Sequence, residues 1–176
     1  MRLDTAGPEG PRSPPVVTNA FEQIAGTLDY PMVVVTTTDG QELSGCLVGF
    51  HTQCSIDPVR FLVCISRANH THRVALGASA LVVHVLRDDQ YELARIFGEE
   101  TGDSVDKFAR CEWHADPEGL PILAGCDWFK GTILERIDVG DHVGHHLTVD
   151  TAARVHTRRR PLGYQQVQDM EPGHGA

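Results

Sequence analysis

The densest run of residues able to do chemistry lies at 44–75, SGCLVGFHTQCSIDPVRFLVCISRANHTHRVA. Two glycines, Gly45 and Gly49, come first. Small hydroxyl residues follow at Thr52 and Ser55, and then Asp57-Pro58. An apolar stretch separates these from a polar turn, Ser66-Arg67-Ala68-Asn69-His70-Thr71, that opens a helix. The spacing predicts two polar loops with one strand between them. The second loop offers a guanidinium and helix N-terminal amides, which suit a phosphate. The first offers backbone N–H groups beside small side chains, which suit a flat ring with polar edges. The residues alone leave blander readings open: Thr52 and Ser55 also fit a hydroxyl turn before Pro58, and Arg67 a solvated strand end.

Other chemistry-bearing residues are easier to place. His142, His145 and His146 raise the question of a metal site. On a strand, 142 and 146 share a side and 145 points away. Beyond Asp141, no carboxylate or cysteine stands at ligand spacing, so the reading is no metal. Cysteines stand at 46, 54, 64, 111 and 126, an odd number with no CxxC pair. That pattern reads as reduced thiols in a cytoplasmic protein. His84 reads as a hydrogen-bonded barrel histidine, and Arg158-Arg159-Arg160 before Pro161 as a solvated turn.

The elements that must position these groups are mostly strands. Residues 32–38, MVVVTTT, are almost wholly β-branched, and Asp39-Gly40 follows as a turn. Residues 43–50 then complete a hairpin. Further strands are predicted at 59–66, 80–86, 128–139 and 143–156, the last two joined at Gly140-Asp141. Short helices are predicted at 19–26, at 71–77 with Thr71 as its cap, and after Asp88 or Asp89. Six strands with short helices on the connections predict a mainly β fold, a small barrel with helical decoration.

Composition narrows the function classes. The chain has 176 residues, with 15 basic and 24 acidic side chains and a formal charge of −9. Such an acidic surface argues against non-specific nucleic-acid binding and against a basic membrane patch. No apolar run approaches the roughly 18 residues of a membrane span. The start has no apolar stretch of the secretory kind. Residues 1–18 carry four prolines and read as a disordered arm, 19–164 as one domain, and 165–176 as a flexible tail.

Over residues 21–164 the sequence resembles the flavin-reductase-like proteins with an FMN-binding split β-barrel. Their pattern G-x-x-x-N-S-F-T-S-x-S-x-D-P meets GCLVGFHTQCSIDP here. Thr52, Ser55, Asp57 and Pro58 match, and Gly49, Phe50, His51 and Gln53 depart from it. The R-x-S-x-T loop is matched by Arg67, Asn69 and Thr71. Val83-His84-Val85-Leu86, Glu92 to Phe97, Lys107-Phe108, Trp113, Gly119 to Gly125, Gly140-Asp141-His142 and Pro161-Leu162-Gly163-Tyr164 follow in the family's order. The resemblance implies a split-barrel homodimer that binds FMN or FAD near the subunit interface and takes hydride from NADH or NADPH. It implies that Thr52 and Ser55 bond the flavin ring and ribityl chain. Arg67, Asn69 and Thr71 would hold the 5′-phosphate. Gly49, Phe50, His51, Gln53, Ser66 and Lys107 join the cofactor contacts, and His142 serves catalysis beside the nicotinamide. A partner monooxygenase is implied as a taker of reduced flavin. A deazaflavin-dependent reductase and a non-catalytic flavin- or haem-binding protein remain as alternatives.

Overall fold

The computed structural model describes residues 16–155 and 160–173, with side chains described from residue 19. The first helix, α1, spans Val16–Ala25 and so begins inside the stretch read as a disordered arm. The rest of that arm, 1–15, lies outside the described residues, as do 156–159, with Arg158 and Arg159, and 174–176.

Among the described residues ten strands form, where the sequence predicted six. The first is β1 (Val33–Thr38), paired antiparallel with β2 (Leu43–Val48) as the Asp39-Gly40 turn predicts. The expected long second strand breaks at Gly49-Phe50, and β3 (His51–Ile56) starts afresh. The first polar loop is therefore a strand, paired with β4 (Val59–Ser66). Then come α2 (His70–Gly77), β5 (Ala80–Val85) and α3 (Tyr91–Glu99). A small ribbon pairs β6 (Trp113–Ala115) with β7 (Pro121–Leu123). The chain closes with β8 (Asp127–Asp138), β9 (His142–Leu147) and β10 (Thr151–Ala153). The last strand predicted at 143–156 thus divides into two.

The main sheet runs β2-β1-β5-β8-β9-β4-β3, with β10 on β8. The long β8 carries the split. Its first half pairs with β5, its second half with β9, and the register shifts between Ile133 and Glu135. Gly131 sits at this bend because a Cβ there would strike the Thr148 carbonyl oxygen. Strands β2 and β3 end this path.

The absence of apolar–polar alternation in β1, VVVTTT, has a direct cause: both its faces are buried, and the Thr36 and Thr37 hydroxyls donate to the Pro121 and Ala80 carbonyls. Val33 and Val35 join Cys46, Val63, Ile65, Val83 and Leu147, drawn from both halves of the sheet, to fill the barrel. Met32 and Val34 face the opposite layer, with Leu86, Phe97, Phe108 and Leu162. Val167 is 5% exposed in that second layer, and Tyr164–Gln166 forms a 3-10 turn. Residues 165–167 are thus docked, where the sequence was read as a flexible tail.

Two caps also differ from expectation. Asn69, not Thr71, caps α2: its Oδ1 accepts the Thr71 N–H at 2.9 Å. Gln90, not Asp88 or Asp89, precedes α3, and its Oε1 accepts the Arg87 N–H at 3.0 Å. At the other end of α2, Arg136 of β8 donates to the Ala75 and Ala78 carbonyls at 2.7 and 2.6 Å. This ties the helix to the barrel and satisfies carbonyls that a helix end leaves unpaired.

Candidate active site

A cavity of about 560 Å3 opens between α1 and the ends of β2, β4 and β9. Phe21 and Ala25 of α1, Tyr30, Phe50 and Tyr164 give it apolar and aromatic walls. Residues 46–50 and 64–66 form its floor. Ser66, Asn69 and His142 bring polar atoms to one side. Concave, mostly apolar walls with a few convergent polar groups are the usual make-up of a small-molecule site.

The polar side has a definite bonding pattern. His142 Nδ1 lies 2.7 Å from Asp141 Oδ1. That hydrogen bond holds the Asp141 carboxyl below the usual carboxylate range. The Phe50 ring meets the His142 ring edge-on, with centroids 5.3 Å apart. Ser66 Oγ accepts the Ala68 N–H at 3.3 Å and shapes the turn into α2.

The structure brings together only part of the set expected from sequence. Gly49, Phe50, Ser66, Asn69 and His142 line one cavity. Arg67 lies beside it, 44% exposed, with its guanidinium 3.0 Å from Asp138 and its Nε donating to the Gly140 carbonyl at 3.0 Å. Thr71 is 1% exposed, and its hydroxyl is bonded to Ser44 Oγ at 3.0 Å. Thr52, Gln53 and Ser55 lie on edge strand β3, outside the cavity wall. The Thr52 hydroxyl donates to the Gln53 carbonyl, and the Gln53 amide to the Ser55 carbonyl. His51 donates through Nε2 to the Pro31 carbonyl at 2.7 Å and stacks on Phe61. Burial lowers its pKa.

Lys107 is placed elsewhere. It lines a second cavity of about 610 Å3, with Glu42, Ser44, Asp106 and Trp113. It is 5% exposed, and its Nζ donates to the Gly45 and Phe97 carbonyls at 3.2 and 3.3 Å. Burial pushes its pKa down.

His84 and His145 are structural. His84 is fully buried; its Nδ1 donates to the Val34 carbonyl and its Nε2 accepts the Leu123 N–H. His145 points into the barrel, with Nδ1 donating to the Val143 carbonyl. Burial lowers both rings to a pKa of about 4. Among the described residues no three His, Cys, Asp or Glu side chains converge on a metal position. All five cysteines are unpaired, and no described helix is long and apolar enough to cross a membrane.

Sequence reasoning missed Tyr30, Cys64 and the role of α1 in the wall. Only Tyr164 carried a signal, as the end of Pro161-Leu162-Gly163-Tyr164. The others come to the cavity through tertiary packing that no local pattern encodes.

Comparison with known proteins now bears on this site. The family model described as "Flavin reductase like domain" matches residues 25–171. The chain belongs to the flavin reductase family. It is 31% identical over 118 residues to the 4-hydroxyphenylacetate 3-monooxygenase reductase component of Klebsiella oxytoca, covering 64% of this chain and 68% of that one. It is 28% identical over 150 residues to the high molecular weight rubredoxin of Moorella thermoacetica, covering 84% and 65%. Among solved structures, the Streptomyces globisporus C-1027 NADH:FAD oxidoreductase SgcE6 superimposes with a TM-score of 0.76 at 25% identity, covering 88% of this chain and 92% of that one. The chain spans 40%, 65% and 54% of the length of three curated relatives that it matches. The matched span includes every residue of the cavity except those of α1 before residue 25.

Proposed function

We propose that this flavin reductase family member passes hydride from NADH or NADPH to FMN or FAD held in the α1 cavity. The observation that carries the reading is the cavity itself: aromatic walls for a planar ring, with Ser66, Asn69 and His142, whose Nδ1 is bonded to Asp141, on one side. These residues fit a flavin. Phe50, Tyr30 and Tyr164 offer ring surfaces, and the Ser66–Asn69 turn with Arg67 offers hydrogen bonds and a cation for a phosphate. Arg67 is partly exposed, and reaching a phosphate would exchange its ion pair with Asp138 and its Nε bond to the Gly140 carbonyl for a charge-assisted pair. When bound, flavin supplies the hydride acceptor. The chain's own part is to bind, orient and screen the reactants from water.

The finer assignments belong to the same proposal. Thr52 and Ser55 of β3 and His51 reach the cofactor across the subunit interface of a homodimer. An exposed apolar side chain on β3 supports a second copy covering this strand: Ile56 is 83% exposed. Reduced flavin leaves for a partner monooxygenase, a reading supported by the Klebsiella relative's being the reductase component of one. Five unpaired thiols support a reducing, cytoplasmic setting.

The test is donor consumption. Under air, with FMN or FAD added, the protein should oxidise NADH or NADPH. Consumption of neither donor with either flavin would reject the reading. Tight flavin binding without consumption would instead indicate a non-catalytic flavin carrier. A competition titration in which a deazaflavin displaces FMN would point to the deazaflavin alternative, and a haem-bound spectrum to the haem one.

A further inference from the structure

Helix α1 walls the cavity through Phe21, Glu22 and Ala25, yet it hardly packs on the barrel. Among its described side chains Ala25 alone is partly buried, and Phe21 and Ile24 are 67% and 63% exposed. A short helix that buries so little apolar surface gains little from packing and opens easily. Its last turn closes on itself. Gly26 N–H donates to the Glu22 carbonyl at 2.9 Å, and the Thr27 and Leu28 N–H groups donate to the Ile24 and Ala25 carbonyls at 3.1 Å. These bonds fix the shape of the helix end, not its place on the barrel.

A tie to the barrel comes from far along the chain. Gln165 Nε2 donates to the Gly26 carbonyl at 2.8 Å and to the Leu28 carbonyl at 3.1 Å. A primary amide has two N–H donors, and both are used here. The Gln165 backbone N–H donates to Asp29 Oδ1 at 3.0 Å. The segment that carries Gln165 is itself anchored on both sides. Leu162 is fully buried and Val167 is 5% exposed in the second apolar layer. Tyr164 N–H donates to the Tyr30 carbonyl at 2.8 Å, and the Leu162 carbonyl accepts the Met32 N–H at 2.7 Å. An anchored strap therefore grips the connection between α1 and β1 through one carboxamide.

We propose that Gln165 is a positioning residue for flavin binding: its carboxamide pins the C-terminal end of α1 to the barrel, so that Phe21 stands as a fixed wall against the flavin ring. The assignment rests on reading the cavity as the flavin site. Gln165 is not part of the cavity wall and acts through α1. Without the clamp, each binding event would have to order the helix, and that cost would come out of the affinity.

The experiment compares full-length wild type with Gln165→Ala, Gln165→Glu and Gln165→Lys. Amide hydrogen exchange over residues 19–30 is read without ligand, and Kd is measured for FMN and for riboflavin. In Gln165→Ala exchange over 19–30 should speed up while β1 and β5 keep their protection. Kd should rise about tenfold, the scale of two neutral hydrogen bonds, and equally for both ligands because the wall meets the ring. Gln165→Glu sets acceptors against two carbonyls and should lose at least as much. Gln165→Lys returns N–H donors beside a helix C-terminus, where a cation is favoured, and should recover most of the affinity and protection. In a Phe21→Ala background, Gln165→Ala should cost much less, since the wall it positions is gone. Unchanged exchange over 19–30 in Gln165→Ala, or faster exchange with an unchanged Kd, overturns the proposal alone. So does full additivity with Phe21→Ala, or a Lys variant as weak as the Glu one. Loss of protection in β1 and β5 as well would make Gln165 a residue of general stability and also overturns it. A wild type that binds neither FMN nor riboflavin overturns the functional reading, and with it the flavin as the group that α1 meets.

Discussion

In the α1 cavity, polar side chains border apolar walls: Ser66 and Asn69 at the turn into α2, and His142 with Nδ1 on Asp141. Inside the barrel and behind β2, polar side chains of similar kinds are held by the protein's own backbone. His84 has both ring nitrogens bonded to backbone atoms, and Lys107 Nζ donates to two carbonyls. His142 and His145 are three residues apart on one strand and fall in different regions, because the pleat sends them to opposite faces. Residue type does not separate function from scaffold here. What separates them is whether the side chain lines the α1 cavity or is buried away from it.

The comparison breaks first under acid. The folded state holds His84 and His145 near a pKa of about 4, against 6.5 for an ordinary histidine. The unfolded chain therefore takes up protons that the folded chain refuses. Their contribution is full above pH 6.5 and is lost as the pH falls toward 4, at about 3 kcal/mol for each ring. Denaturant melts between pH 7 and 4.5 should show this loss, and His84→Gln should remove about half of it. A flat profile would show that neither ring is held neutral by the barrel.

Lys107→Ala should lower stability by about 1.5–3 kcal/mol, the scale of hydrogen bonds to a charged group. FMN affinity should stay at the wild-type value. Weaker FMN binding in a well-folded variant would join the second cavity to the cofactor site. On the cavity side, Arg67→Ala should weaken FMN by about 1.5 kcal/mol, roughly tenfold, and riboflavin hardly at all. Equal losses for both ligands would remove Arg67 from the phosphate. The smallest effect is expected from Phe50→Ala, about 1 kcal/mol in flavin affinity and equal for FMN and riboflavin. A loss confined to FMN would move Phe50 from the ring to the phosphate end.

Much of the barrel was legible from local pattern. The β-branched run at 32–38 and the Asp39-Gly40 turn lead directly to the β1–β2 hairpin. The alternation on β9 correctly sends His145 inward and away from His142. The turn 66–69 also falls where its residues predict, though with Asn69 as the cap. What failed was anything set by tertiary context. HTQCSI looks like a loop because it is mostly polar and runs into Asp57-Pro58, yet it pairs with β4 as an exposed edge, where polar side chains are at no disadvantage. Lys107 sits in a matched Lys-Phe pair, and nothing local tells that its ammonium turns to Gly45 and Phe97. Thr71 looks free at a helix start and is instead buried against Ser44. Helix α1 was read too short, because prolines at 8, 11, 14 and 15 hide its first turn at Val16.

The most direct test of the central claim is the visible spectrum of the protein with FMN, recorded without oxygen before and after adding NADH or NADPH. The account predicts that the flavin band shifts on binding and then bleaches as one of the donors is added, in wild type and in Lys107→Ala alike. An FMN spectrum unchanged by the protein, with no bleaching by either donor, would contradict it.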